Sequence, residues 1–311
     1  MTEQHAGAVA GAEHEHYYVP HDSKIPVWLA FGLILFMYGF GSLLNATKTG
    51  EHGNPLLIWA GLAVVGISLY TWFTKVIREN HAGLAGAQLK RSYVWGMGWF
   101  IFSEVMFFAA FFGALFYVRN FAMPWLGGEG EKGITGEYLW PGFAADWEAG
   151  RNPSEYKPGP AETMAAPTSA SAWAGYLPFW NTAILLSSSF TIHWAHTALK
   201  SGHRKGLTTW LGITVALGVV FLFLQAEEYL HAYEELGLTL GSGIYGSTFY
   251  ILTGFHGFHV TLGTFMLLMC LVRVLKGHFS KEDHFGFEAC SWYWHFVDVV
   301  WMGLFLFVYV L

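Results

Sequence analysis

The chain has 311 residues, a formal net charge of -6, only 12% charged residues and a mean hydropathy of +0.37. A water-soluble domain carries about 25% charged residues, so this composition excludes a soluble globule and makes lipid part of the solvent. The negative balance gives no electrostatic footprint for nucleic acid, and two cysteines at Cys270 and Cys290 exclude a disulfide framework and CxxC zinc or CxxxC copper sites.

The stretch from Met1 to Ser23 has no basic region leading into an apolar core, so it reads as a retained tail rather than a secretory signal. Its string GAEHEHYYVPH offers histidines to a stray metal, and the simpler reading is a solvated cytoplasmic tail over residues 1–25. About 20 apolar residues cross a hydrocarbon core of about 30 Å. Seven segments meet or approach that length, at 26–46, 55–77, 93–118, 177–199, 207–231, 244–273 and 287–311. The expected fold is an all-α integral membrane protein, with two spans in 26–77 and five in 93–311. The segment 119–176, rich in Gly, Pro, Ala and acids, predicts a long periplasmic loop with little structure of its own. Fifteen Trp and fifteen Tyr suit the two interfacial belts of such a protein.

Orientation follows from the basic residues. Lys75, Arg78, Lys90, Arg91, Lys200, Arg204, Lys205, Arg273, Lys276 and Lys281 fall between spans two and three, four and five, and six and seven. Lys24 adds one in the tail. The positive-inside rule then places the N-terminus in the cytoplasm and the C-terminus in the periplasm, and the expected location is a bacterial inner membrane.

Ionisable groups at membrane depth mark function or tight packing. Glu104 lies mid-span in Ser103-Glu104-Val105, either as a proton-handling or lipid-contacting group or as a neutral acid hydrogen-bonded between helices. His193 with His196, His256 with His259, and His295 with Asp298 stand three apart, on one helical face each. Glu228 and His231 match the Glu-x-x-His spacing of di-iron bundles, but the other such spacing, Glu13 with His16, lies in the tail. Interhelical hydrogen bonds are the simpler role for these residues, in Gly-rich spans such as GFHGFHV. For His295 and Asp298 the simpler role is a carboxylate–imidazole pair that fixes helix register.

Longer strings resemble one family. Val76-Ile77-Arg78-Glu79, Ser103-Glu104-Val105, Trp194-Ala195-His196, Leu224-Gln225-Ala226-Glu227-Glu228-Tyr229, Thr253-Gly254-Phe255-His256-Gly257-Phe258-His259-Val260 and His284-Phe285-Gly286-Phe287-Glu288-Ala289 are similar to subunit III of the haem–copper oxidases, in the cytochrome c oxidase branch. Trp292-Tyr293-Trp294-His295-Phe296-Val297-Asp298 continues the match, which covers nearly everything after residue 70. The resemblance implies seven transmembrane helices, two separated from five by a V-shaped cleft that holds phospholipid. It implies no haem or copper in this chain, with both in partner subunits I and II of an aa3-type oxidase that oxidises cytochrome c, reduces oxygen and pumps protons. It assigns no ligand role to the histidines. Glu104 matches the family's intramembrane glutamate beside the cleft, and Arg78, Glu79, Arg273 and His278 match positions near lipid head groups. Two departures stand out: the 119–176 segment is longer than the family pattern, and Thr197 replaces a usual second histidine after Trp-Ala-His. Against this reading stand subunit III of a quinol oxidase, disfavoured by the two N-terminal spans, and a stand-alone membrane metalloenzyme. A transporter lacks support, because no repeat relates the halves.

Overall fold

The computed structural model describes residues 18–19, 23–50, 55–153 and 159–311. The tail histidines and the Glu13–His16 spacing lie outside them. Among the described residues the regular elements are helical, with no strand. Seven helices among the described residues have 20 residues or more: α1 (Ile25–Thr49), α2 (Leu56–His81), α3 (Ala87–Tyr117), α6 (Leu177–Ser201), α7 (Arg204–Glu234), α8 (Ile244–Leu275) and α9 (Phe285–Leu304). Two short helices, α4 (Met123–Leu126) and α5 (Ile134–Leu139), intervene between α3 and α6.

Six of the seven long helices are long and apolar enough to cross a membrane. The exception is α6, whose inward face carries Asn181, Thr182, Ser188 and Thr191, all buried. Each finds its partner inside the protein. Asn181 donates to Glu228, Trp301 donates to Thr182 Oγ1 at 3.0 Å, Trp294 donates to Ser188 Oγ at 2.9 Å, and Thr191 meets Thr214 at 2.8 Å. Mean hydropathy counts such side chains as costly, whereas a satisfied buried group is not.

The chain divides into two compact units, Met1–Trp95 and Gly96–Leu311. In the first, α1 and α2 form a hairpin. Pro26 occupies the first turn of α1, where its missing N–H is harmless, and Gly50 at φ 75° leads the chain out. Close approach depends on Gly61, where a Cβ would stand 2.5 Å from Phe36 N and 2.8 Å from Gly32 O.

In the second unit α6, α7, α8 and α9 close a four-helix ring, each packing on the next and α6 on α9. Trp294 of α9 sits at its centre, fully buried. Its indole fills a notch with Gly218 of α7 on one side and Gly263 of α8 on the other; a Cβ at either glycine would stand 2.9 Å from the ring. Outside this ring α3 leans on α8 and α9 through aromatic side chains, with Phe107 against Phe255 at 4.9 Å and Phe100 against Tyr293 at 6.1 Å between ring centres.

The 119–176 segment departs from the expectation of little structure. Besides α4, α5 and a 3-10 turn at Ala172–Gly175, its described residues are pinned to the end of the bundle. Ala161 N donates to Leu236 O at 3.0 Å, Ala166 N to Tyr309 O at 2.8 Å, and Asn152 to Ser242 O at 3.0 Å. Met164 is buried, its N–H donating to Tyr245 and its carbonyl accepting from Tyr176 at 2.7 Å. Burial pushes the Tyr176 phenol above its usual range, so it stays a neutral donor. Composition called this segment a loop; interrupted backbone bonding at the helix ends supplied what holds it.

The glycine notch gives a direct test. Gly263→Ala places a methyl against a ring that cannot retreat and is expected to cost about 1–3 kcal/mol. Thermal unfolding of this chain should fall by several degrees, while Gly212→Ala, where a Cβ meets open space, leaves the midpoint in place. Equal midpoints for the two variants would mean that the notch does not limit packing.

Candidate functional site

Glu104 of α3 reaches His259 of α8, with Oε2 2.9 Å from Nε2. The other ring nitrogen of His259 lies 2.6 Å from the Phe255 carbonyl. A carbonyl only accepts, so Nδ1 carries a hydrogen and one further proton lies between Nε2 and the carboxyl group. The pair is therefore either carboxylic acid with imidazole or carboxylate with imidazolium, and both are neutral overall. The Glu104 side chain remains 23% exposed.

The remaining paired residues do not present ligands together. His256 is fully buried, bonds the Val297 carbonyl through Nε2 at 3.3 Å and packs against Trp301, so it bonds α9 rather than Glu104. Glu228, also buried, accepts from Tyr309 Oη at 2.5 Å and from Asn181 Nδ2 at 3.3 Å. His231 pairs instead with Glu235 at 3.1 Å, so the Glu-x-x-His spacing forms no common site. His295 Nδ1 and Asp298 Oδ2 stand 3.7 Å apart, and Ser189 of α6 bridges them, 3.0 Å from the ring nitrogen and bonded to the carboxylate. Ser189 was invisible to spacing because it comes from another helix.

At the end where α6 finishes and α9 begins, four residues meet that sequence spacing did not combine. Glu288 Oε1 lies 3.3 Å from His196 Nε2, 3.3 Å from His284 Nε2 and 4.0 Å from Lys200 Nζ. His284 and Glu288 stand four apart at the start of α9, and His196 and Lys200 four apart on α6, which were the available signals. His193, three residues before His196, is exposed and takes no part in this cluster. Close by, Cys270 and Cys290 are free thiols with sulfurs 3.2 Å apart.

The residues expected near head groups fall in different settings. Arg78 is exposed, and Glu79 takes a hydrogen bond from Tyr18 at 3.1 Å with Lys75 3.8 Å away. Lys75 and Glu79 line a cavity of about 310 Å³ with Pro26, Leu29, Trp72 and Val76. This cavity combines an apolar wall with a charged mouth. Arg273 lies with its guanidinium 4.3 Å over the Phe279 ring, and its Nε is buried without a hydrogen-bond partner. The His278 backbone N–H caps the Arg273 carbonyl at 2.9 Å.

Comparison with known proteins agrees with these strings. The family model described as cytochrome c oxidase subunit III matches residues 14–129 and 170–311. The unmatched interval contains most of the long segment between α3 and α6. Among relatives, the chain is 41% identical over 260 residues to cytochrome c oxidase subunit 3 of Dasypus novemcinctus, covering 83% of this chain and 85% of the relative. The corresponding proteins of Hippopotamus amphibius and Sus scrofa are each 37% identical over 294 residues, covering 94% of this chain and 96% of the relative. These matches place the chain, with its long apolar helices, in the cytochrome c oxidase subunit III family.

Proposed function

We propose that this chain is the non-redox subunit of a proton-pumping aa3-type cytochrome c oxidase, stabilising the catalytic subunit, holding phospholipid and supporting proton uptake. Haem and copper then lie in partner subunits I and II, with cytochrome c engaged through the complex. The proposal includes seven membrane-crossing helices in a two-plus-five arrangement with a phospholipid-filled cleft. It also includes a bacterial inner membrane, with the N-terminus cytoplasmic according to the placement of Lys and Arg.

The observation that carries it is the Glu104–His259 pair. A group that exchanges protons at membrane depth needs a partner that holds the proton without leaving net charge in hydrocarbon, and this pair provides one. The exposed apolar side chains of α1 to α3, including Trp28, Phe31, Ile34, Trp59, Tyr70, Trp95 and Trp99, suit lipid or partner helices.

Three measurements test the proposal. Haem and copper in the detergent-purified complex should leave with the partner subunits when these are stripped away; haem or copper retained by this chain would overturn the non-redox role. Glu104→Gln keeps an N–H to donate to His259, so assembly and initial oxygen consumption should stay largely intact, and abolished electron transfer would refute a supporting role. Arg78→Ala with Arg273→Ala should lower co-purifying phospholipid as measured by mass spectrometry. An unchanged lipid content would remove the head-group role of these two residues.

A further inference from the structure

We propose that His196, His284 and Glu288 form a binding site for one divalent cation of the zinc class, tying the end of α6 to the start of α9. Nothing in this proposal depends on the redox role of the complex.

The donor atoms of the three side chains all lie within 4.8 Å of one another. Glu288 Oε1 is 3.3 Å from Nε2 of His196 and 3.3 Å from Nε2 of His284. Two ligands bound tetrahedrally at about 2.0–2.1 Å from zinc stand about 3.3 Å apart, so both measured edges have the length that a shared ion requires.

The hydrogen bonds around the cluster point the same way. His284 Nδ1 lies 3.1 Å from the Ser280 carbonyl, so Nδ1 carries a hydrogen and Nε2 is the nitrogen that faces Glu288. A backbone carbonyl on the far nitrogen is the usual outer support of a metal-bound imidazole, because it fixes both tautomer and ring direction. His196 Nε2 is buried and makes no hydrogen bond, although a carboxylate oxygen is only 3.3 Å away. Two ring nitrogens and a carboxylate oxygen thus converge on a common point that calls for positive charge, supplied by ring protons or by a metal ion held among them. Two imidazoles and one carboxylate suit zinc and its transition-metal neighbours, whereas calcium and magnesium prefer all-oxygen shells.

Access and coordination number also fit. The side chains of His196, His284 and Glu288 are 19%, 10% and 27% exposed, so an ion can reach them from the aqueous end of the bundle. Three protein ligands leave a fourth position for water. Lys200 Nζ, 4.0 Å from Glu288, competes for the same carboxylate, which makes the site reversible rather than permanently filled.

The test uses the whole detergent-purified oxidase complex, stripped with a strong chelator and dialysed against radioactive zinc at pH 7.5. The native complex should hold one zinc more than the complex carrying His196→Gln with His284→Gln, and Glu288→Gln alone should weaken that ion's binding by on the order of tenfold or more. Equal zinc content in the native and doubly substituted complexes would overturn the proposal and leave an ion-pair cluster only. A second measurement requires no variant. In the native complex, carbethoxylation mapped by mass spectrometry should be suppressed at His196 and His284 by zinc while exposed His203 still reacts. Undiminished labelling of His196 and His284 in saturating zinc would refute the site even if the substituted chains fail to assemble.

Discussion

Trp294 is the interaction on which the second unit depends. In lipid the hydrophobic effect gives no reason for one apolar helix to prefer another, so close packing and internal hydrogen bonds must specify the arrangement. The indole of Trp294 supplies both. Gly218 and Gly263 let it lie against the backbones of α7 and α8, and its N–H reaches Ser188 on α6, so one α9 side chain touches all three other helices of the ring. Ser188 in turn donates to the Leu185 carbonyl at 2.6 Å, leaving neither partner unsatisfied.

The same logic extends outwards from that centre. Trp301, seven residues later on α9, repeats the pattern by donating to Thr182 while Phe221 and His256 pack on its faces. At one end, Glu228, Tyr309 and Asn181 join α7, the end of the chain and α6 in a buried network. At the other, the His196–His284–Glu288 cluster joins α6 to α9. The long helix that falls short of a membrane-crossing hydropathy is thus held by several buried polar contacts.

Much of this was legible in the sequence. Hydropathy marked the seven segments that fold as long helices, six of them apolar enough to cross a membrane, because apolar runs and the turns between them are local properties. The strings around Glu104, His259 and Trp294 carried the family before any geometry. What spacing could not supply was partnership across helices. His256 and His259 share a face by number, yet one bonds α9 and the other α3. Ser189, Asn181 and Tyr309 drew no notice, since a hydroxyl or amide gains meaning only from the side chain opposite. The long segment after α3 looked unstructured because its order comes from the exposed carbonyls of other elements, which composition does not encode.

The shared proton between Glu104 and His259 has an electrical consequence. Shifting it across a 2.9 Å gap turns a weakly polar pair into a strong dipole without bringing any ion in from water. Such a pair responds to the local field, since only the orientation of charge changes. A charge brought close to Glu104 would bias the two forms through Coulomb interaction, most strongly where water is excluded. The membrane interior thereby contains an element that can be polarised by assembly itself.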